Sequence, residues 1–282
     1  MKERRVLELA HGLSPAALDA ISELEHRVVS ADGGRLKLEW RTLRGRAGGE
    51  VEDFLWWQDD RLAGFLGLYQ HAPPVVELAG MVDPEHRREG IAGALLDAAL
   101  SACDERDLHP ALLIVPRNSD AGRELALARG AELDHSEHAL VLSQQPTARQ
   151  PDPRISLRAA MPEDAPVLER VLRAGFGDAP ELRDGDLPHW TVIERADEPV
   201  GVIRVTRDGA TGSVHGFAIE PAWQGQGIGR DVLARVCLEL FEQGAERVAL
   251  EVAVDNDHAL GLYTSLGFEP VTTEDYYSLP VG

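Results

Sequence analysis

The chain has 282 residues, of which 44% are hydrophobic, and its formal net charge is −20. This composition supports folded cores and argues against intrinsic disorder. The acidic balance disfavours nucleic acid and anionic membranes, because both reward clustered lysine and arginine. The N-terminus opens with charged residues, and no apolar run approaches the ~20 residues of a membrane span. We therefore expect a cytoplasmic protein with neither kind of partner.

One fixed offset relates the two halves of the chain. Gly64 and Gly201 are 137 positions apart, and the same offset relates Asp60 to Asp197, Pro84 to Pro221, Gly90 to Gly227, Leu96 to Leu233, Val115 to Val252 and Gly130 to Gly267. The register holds without a gap from about residue 58 to about residue 131, which indicates two copies of one unit. We predict an N-terminal domain at 1–145, a polar, proline-rich linker at 146–153 and a C-terminal domain at 154–282.

Strands and helices alternate along both copies. In the N-terminal copy, a strand is predicted at Val75–Met81, and Cys103 lies on the apolar face of a later helix. Cys237 occupies the same kind of position in the C-terminal copy, so we expect two buried thiols, with no disulfide and no metal site.

The C-terminal copy gives the clearer pattern of elements. We predict strands at Ile155–Arg158, Trp190–Glu194, Pro199–Val205, Ser213–Ile219 and Val248–Val254, helices after Met161 and at Gly229–Gln243 and Asp257–Leu266, and one or two strands in the tail Phe268–Val281. Such an order is typical of an α/β fold around a mixed sheet.

A glycine-rich turn, Gln224–Gly229, lies between a predicted strand and a predicted helix. The unpaired amides at a helix N-terminus suit a pyrophosphate, and glycines let the backbone approach it closely. The turn lacks the Rossmann spacing and the Walker lysine, which argues against dinucleotide binding and ATP hydrolysis.

Two motifs together resemble the GNAT acetyltransferases. Gln224–Gly229 fits the family pattern Q/R-x-x-G-x-G/A, and Asn256–Phe268 fits N-x-x-A-x-x-L-Y-x-x-x-G-F. The resemblance covers 154–282 and, through the repeat, implies two tandem GNAT-like mixed-sheet domains. It further implies acetyl-CoA as the cofactor and a small-molecule or peptide amine as the acceptor, attacked directly in a ternary complex.

The resemblance also implies roles for individual residues. Tyr263 would protonate the departing thiolate, and Asn256 would orient the acyl-CoA, although a core tyrosine and a helix N-cap are the structural alternatives. The pantetheine arm would bond the backbone at Phe217, Ala218 and Ile219. The pyrophosphate would be held by the amides of Gln224, Gly225, Gln226, Gly227, Ile228, Gly229 and Arg230.

The proton acceptor and the acceptor pocket are less well defined by the sequence. His215 has the more suitable intrinsic pKa and alternates in phase with Phe217 and Ile219, so we expect it to face inward. Glu220 is the alternative base, or else a solvated loop residue. His189, Trp190 and Tyr276 are predicted to line the acceptor pocket, although aromatic residues in strands are often core.

The N-terminal copy retains only the first motif. Arg87, Arg88, Gly90 and Ala92 fit the phosphate-binding pattern, so a second acetyl-CoA site is predicted. At the positions of Asn256, Tyr263 and Phe268 this copy has Ser119, Ala126 and Ala131, and Glu77 lies on the equivalent strand. Because the phenol is missing, we expect the C-terminal half to be catalytic and the N-terminal half to bind cofactor or serve as a scaffold.

The layout is similar to that of the mycothiol synthases, two-half GNAT enzymes that acetylate a cysteinyl amine. Ser213 stands where their strand carries a glutamate. Three hypotheses remain from the sequence: a general N-acetyltransferase, a mycothiol-synthase-like enzyme, and a non-catalytic CoA-binding sensor or scaffold. A monomer acting as a pseudo-dimer and a homodimer are both compatible with two fused halves.

Overall fold

A computed structural model describes residues 4–72, 74–147, 150–177 and 187–280. Its first elements are β1 (Arg5–Ala10), α1 (Pro15–Asp32), α2 (Trp40–Arg44), β2 (Asp53–Gln58), β3 (Arg61–Ala72), β4 (Val75–Val82), α3 (Ile91–Glu105), β5 (Ala111–Pro116), α4 (Asp120–Ala128) and β6 (Glu132–Leu142). The remaining ones are β7 (Ile155–Ala159), α5 (Ala165–Phe176), β8 (Trp190–Arg195), β9 (Glu198–Asp208), β10 (Thr211–Ile219), α6 (Ile228–Glu242), β11 (Arg247–Ala253), α7 (Asp257–Thr264) and β12 (Glu269–Ser278). Within the described ranges, no helix is long and apolar enough to cross a membrane.

The chain divides into two compact units. Unit 1 comprises Met1–Glu137 and Thr272–Gly282, and unit 2 comprises His138–Val271. The tail, which the sequence assigns to the C-terminal half, thus groups with unit 1. The reason is strand pairing, because β12 runs antiparallel to β5, with Tyr276 opposite Ile114. The last part of β6 groups with unit 2, where it neighbours β11.

In unit 1 the sheet has the order β1-β2-β3-β4-β5-β12. Its neighbouring strands run antiparallel except β4 and β5, which are parallel. One apolar core lies on the α3 side of the sheet and includes Leu96 and Cys103. The other core contains Ile21 and Leu24 of α1. Unit 1 is therefore a sheet with helices on both faces.

Unit 2 repeats this plan with the order β6-β11-β10-β9-β8-β7. Strands β10 and β11 are parallel, whereas β7, β8, β9 and β10 form an antiparallel meander. Helix α6 covers one core, which includes Leu233 and Cys237, and α5 covers the other through Leu168 and Leu172. The predicted α/β class, with two tandem mixed-sheet domains, is confirmed in both halves.

Gly64 and Gly201, which are related by the repeat offset, both lie at close packing contacts. A Cβ added to Gly64 would be 2.6 Å from Cγ2 of Ile91, and a Cβ added to Gly201 would be 2.6 Å from the carbonyl oxygen of Ala218. Neither position has space for a methyl group, since non-bonded atoms in a packed core do not approach so closely. Gly64 thus allows α3 to pack closely on β3, and Gly201 allows the backbones of β9 and β10 to approach.

We expect Gly201→Ala to lower the free energy of unfolding by about 1–3 kcal/mol, because the methyl group must displace backbone. The matched control is Gly261→Ala in α7, where an added Cβ meets nothing within 4 Å and alanine favours the helix. Urea denaturation of both variants measures the difference. Equal stability of the two variants would contradict the close packing at Gly201.

Candidate active site

Strands β10 and β11 part within unit 2. Among the described residues, their parallel pairing covers Thr211–Ser213 against Arg247–Ala249 and does not extend to the ends of the strands. Beyond this point the backbone groups on the facing edges are available to another partner, and buried backbone groups need one. The fork is therefore suited to an extended, amide-containing ligand next to Phe217–Ile219.

An irregularity in β10 lies beside the fork. Its pairing with β9 shifts register between His215 and Ala218, and Gly216 has φ +53. A Cβ on Gly216 would be 2.3 Å from the Trp190 ring, so this residue must be glycine. The local shape is a β-bulge, which re-aims the following side chains.

The bulge changes the predicted orientation of His215. The strict alternation that would turn His215 inward with Phe217 and Ile219 is interrupted at Gly216. The His215 side chain is instead exposed, and its Nε2 lies 3.1 Å from the hydroxyl of Thr206. The expectation of an inward-facing histidine was wrong for this physical reason.

The glycine-rich turn follows β10 and begins helix α6. Gly225 and Gly227 have φ +72 and +81, a region that favours glycine. Gly227 is the N-cap of α6 and has no capping side chain. A Cβ on either glycine would meet nothing within 4 Å. The turn thus presents unpaired amides at a positive helix end to open space, an arrangement that suits phosphate groups.

Side chains fix the shape of this turn from within. Gln224 donates from Nε2 to the carbonyl of Ile219 at 2.8 Å, and Gln226 donates to the carbonyl of Ala222 at 3.2 Å. Arg195 contacts the Gln226 side chain, and its guanidinium lies 5.3 Å from the centroid of the Trp223 ring. The sequence reasoning missed Arg195, because only the hairpin β8–β9 brings it to the turn.

The second motif forms α7 and its N-terminus. The Asn256 side chain caps this helix by accepting from the amide of Ala259 at 3.0 Å. Tyr263 is buried beside Phe268, with ring centroids 6.0 Å apart. Burial raises the pKa of Tyr263 to about 12, so the phenol is protonated at neutral pH. Asn256 is therefore a helix N-cap and Tyr263 is a buried core residue, which are the two structural alternatives to their roles in acyl-CoA binding and proton donation.

Gly229 is the point at which the two motifs meet. A Cβ built there would lie 3.4 Å from Leu262 of α7, 3.6 Å from the Phe217 ring and 3.8 Å from Ile219. The beginning of α6, the middle of α7 and the end of β10 converge at this residue. Consequently the turn, the fork and the second motif belong to one site.

The other candidates lie in different environments. Glu220 is held by Arg170 at 2.7 Å, as expected of a loop residue rather than a base. His189 is exposed, and Trp190 is buried with the Arg204 guanidinium 5.6 Å from its ring centroid. Tyr276 belongs to unit 1. Residues 178–186 of the segment Gly177–Trp190, which contains no motif, lie outside the described ranges.

Both cysteines lie in the cores, as the sequence predicts. Burial raises the pKa of the Cys103 thiol to about 11 and that of the Cys237 thiol to about 12. Neither thiol ionises near neutral pH, so neither is suited to act as a nucleophile.

Unit 1 contains a turn of the same backbone shape. Gly90 caps α3 with φ 86 and ψ 1, and Gly227 caps α6 with φ 81 and ψ −1. Arg88 has φ +67 where Gly225 has +72, an uncommon conformation for a residue with a Cβ. The turn thus has the same backbone shape in both units, even though Arg88 stands at the position of Gly225.

The side chains around the unit 1 turn differ from those in unit 2. Arg87 forms a bidentate pair with Asp32 at 2.6 and 3.0 Å, and Arg88 pairs with Glu124 at 2.7 Å. Ser119 replaces Asn256 as a helix cap and accepts from the amide of Gly122 at 3.2 Å. At the positions of Tyr263 and Phe268, unit 1 has the buried residues Ala126 and Ala131.

The profile of the Acetyltransferase (GNAT) family matches residues 18–130 and, separately, residues 155–268. The chain belongs to this family. The two matches begin 137 residues apart, which is the offset of the internal repeat. The protein is therefore a tandem GNAT acyltransferase, which favours an enzyme over a sensor, and enzymes of this family use acetyl-CoA.

Relatives resemble the acetyltransferase over nearly its whole length. A mycothiol acetyltransferase of Kytococcus sedentarius is 31% identical, with 95% of this chain and 96% of that protein covered. One of Nocardia farcinica is 29% identical, with coverages of 92% and 93%. Among solved structures, a GCN5-related N-acetyltransferase of Sphaerobacter thermophilus has a TM-score of 0.79 at 19% identity, covering 97% and 94%.

A tandem GNAT protein of the clavulanic acid biosynthesis pathway matches with a TM-score of 0.71 at 18% identity, over 100% of this chain and 99% of that one. At such identities the structural likeness supports the tandem fold alone. The acceptor must be inferred from other observations.

The two roles of Asn256 can be separated by substitution. We expect Asn256→Ala to cost about 1 kcal/mol of stability through loss of the cap. Asn256→Ser should restore that stability, because Ser119 caps α4 in the same way. Thermal unfolding of both variants, beside acetyl-CoA titrations, provides the measurement. If the serine variant binds acetyl-CoA as wild type does, Asn256 serves the helix alone.

Proposed function

We propose that unit 2 transfers the acetyl group of acetyl-CoA to a primary amine of a small molecule or peptide, by direct attack within a ternary complex. The observation that carries this proposal is the convergence at Gly229 of the turn, the end of β10 and α7. The pyrophosphate would lie on the amides of Gly225–Arg230, since the amide of Gln224 already donates to the carbonyl of Pro221 at 3.3 Å. The pantetheine arm would lie along Phe217–Ile219. Holding both reactants in one cleft replaces a bimolecular encounter with an oriented one.

Tyr263 is our proposed proton donor to the leaving thiolate. Its burial among apolar side chains keeps the phenol protonated at every pH at which the enzyme would work, because its pKa is about 12. No hydrogen bond of this hydroxyl is found among the described residues. The O–H group is therefore available to the sulfur atom as negative charge develops there.

His215 is our proposed acceptor of the proton that the amine loses. It lies at the start of the bulge, and the exposure of its ring would let the proton pass to solvent. Imidazole titrates close to neutral pH, as this task requires. The net charge of −20 would favour approach of a cationic amine to the site.

A narrower form of this proposal takes a cysteinyl amine as the acceptor. Relatives named mycothiol acetyltransferase, at about 30% identity over nearly the whole chain, favour this narrower proposal. Ser213 at the fork in place of a glutamate would then shape the acceptor pocket, together with Trp190, whose ring lies beside Gly216, and the adjoining His189. Assaying a cysteinyl amine beside simple primary amines distinguishes the narrow substrate from the broad one.

For unit 1 we propose binding of a second acetyl-CoA at Arg87, Arg88, Gly90 and Ala92. The support is the backbone of the turn, whose φ and ψ at Gly90 and Gly227 agree within a few degrees. The pair between Arg87 and Asp32 is partly exposed, so the guanidinium can exchange its carboxylate partner for a phosphate. Arginine suits both.

We expect Tyr263→Phe to lower kcat at least ~10²-fold with little change in acetyl-CoA affinity, because only the proton donor is lost. Free thiol release measures the turnover. Tyr277→Phe, which removes the hydroxyl of a tyrosine buried in unit 1, is the matched control and should keep full activity. Unchanged turnover in Tyr263→Phe would exclude the role of general acid.

The two turns can be blocked separately. Gly227→Glu and Gly90→Glu each direct a carboxylate into one phosphate cradle, and calorimetry counts the acetyl-CoA sites that remain. We expect two sites in wild type and one in each variant, with amine acetylation lost only in Gly227→Glu. Activity that survives Gly227→Glu but not Gly90→Glu would assign the chemistry to unit 1.

A further inference from the structure

A cluster of ionisable side chains in unit 1 lies outside the two motifs. The Lys37 side chain is 9% exposed, and its Nζ lies 3.5 Å from Glu137 and 3.9 Å from Glu77. It also contacts the hydroxyl of Tyr276. Tyr276 donates to Glu137 at 2.7 Å and stacks on His135 with ring centroids 4.1 Å apart. A primary ammonium is thus held between two carboxylates and an aromatic ring.

The ammonium lies at the fork of unit 1. Among the described residues, β4 and β5 pair in parallel only at Val76–Leu78 against Ala111–Leu113. Glu77 lies on β4 just before the strands part, and Tyr276 pairs with Ile114 just beyond that point. Lys37 therefore contacts groups on both sides of the fork. In unit 2 the corresponding fork is where we propose that acetyl-CoA meets its acceptor.

The residue type at this position is informative. Of the 28 basic residues, only Lys2 and Lys37 are lysines. Arginine would pair with two carboxylates at least as well, since its planar fork matches them. Lysine differs because its amine can lose a proton and act as a nucleophile. The position holds a primary amine in a chain that otherwise uses arginine almost throughout.

We propose that Lys37 is a self-acetylation site, modified by acetyl-CoA bound at the unit 1 turn. The inference rests on the proposed cofactor binding by unit 1. Glu77 accepts one proton from the ammonium, and the free Nζ attacks the acetyl carbonyl carbon. The C–N amide bond forms as the C–S bond breaks. CoA leaves as a thiolate and takes up the second proton from nitrogen or solvent, while the first passes from Glu77 to water.

Unit 1 has Ala126 at the position of Tyr263, so its thiolate departs without that phenolic donor. One modification per chain requires only a slow step, for which an unassisted thiolate is adequate. The product replaces a cation between two carboxylates with a neutral amide. Acetylated protein should therefore be less stable than unmodified protein, because Glu77 and Glu137 lose a shared counter-ion.

The test uses the full chain and isotopically labelled acetyl-CoA, followed by intact mass and peptide mass spectrometry. Lys2 serves as the internal control for chemical acetylation. We expect label at Lys37 at least tenfold faster than at Lys2, with a rate constant independent of protein concentration. Lys37→Arg keeps the cation and should remove the label. Glu77→Gln should slow labelling without loss of the fold.

Gly90→Glu separates this inference from the proposed function of unit 2. It should reduce labelling of Lys37 to the rate of Lys2, while acetylation of added amines continues. Labelling of Lys37 no faster than of Lys2, or equal labelling in Gly90→Glu, would overturn the proposal. If the protein is purified already acetylated at Lys37, the same modification in Gly90→Glu protein likewise overturns it. Failure of the unit 2 activity alone would appear as labelled Lys37 without turnover of added amines.

Discussion

Each unit depends on the backbone turn that joins β4 to α3 in unit 1 and β10 to α6 in unit 2, where the helix N-cap has a positive φ. Gly90 and Gly227 meet this constraint, and the turns agree even where Arg88 stands for Gly225. The conformation aims successive amides outward at the positive end of a helix. The fork between the parallel strands lies next to the turn, so one ligand can follow both. The remaining elements hold these two features in place.

Local pattern was enough to predict most of this arrangement. The repeat, the α/β class and the helix after Gly227 could be derived because close-packed glycines and amphipathic periods leave clear marks. The orientation of His215 could not be predicted, because the prediction relied on strict alternation along the strand and a single positive φ at Gly216 interrupts that alternation. The position of Tyr276 could not either, because the pairing of a strand with a distant partner has no local signal.

The two units differ in chemistry more than in backbone. Ser119 and Asn256 both cap a helix through a side-chain oxygen. The difference between serine and asparagine at this position therefore preserves the cap, and only the amide group of the longer side chain is missing in unit 1. Ala126, at the position of Tyr263, is buried and supplies no phenol there. Conversely, unit 1 has Glu77 where unit 2 has the buried Val214. The backbone requirements are met in both copies, whereas the groups to which we assign proton transfer differ between them.

The C-terminal strand β12, which pairs with β5, decides whether unit 1 is a separable domain. The tail brings Glu274 to Arg35 and Asp275 to Arg117 and Ser136, and the Glu274 side chain is fully buried. Buried carboxylates are tolerated only when they are paired, and removing one partner leaves a costly charge. A chain ending before Thr272 would lose these partners and the ring beneath Lys37. Unit 1 must therefore complete its charged interior last, once the C-terminal strand has been synthesised, although most of its sequence comes first.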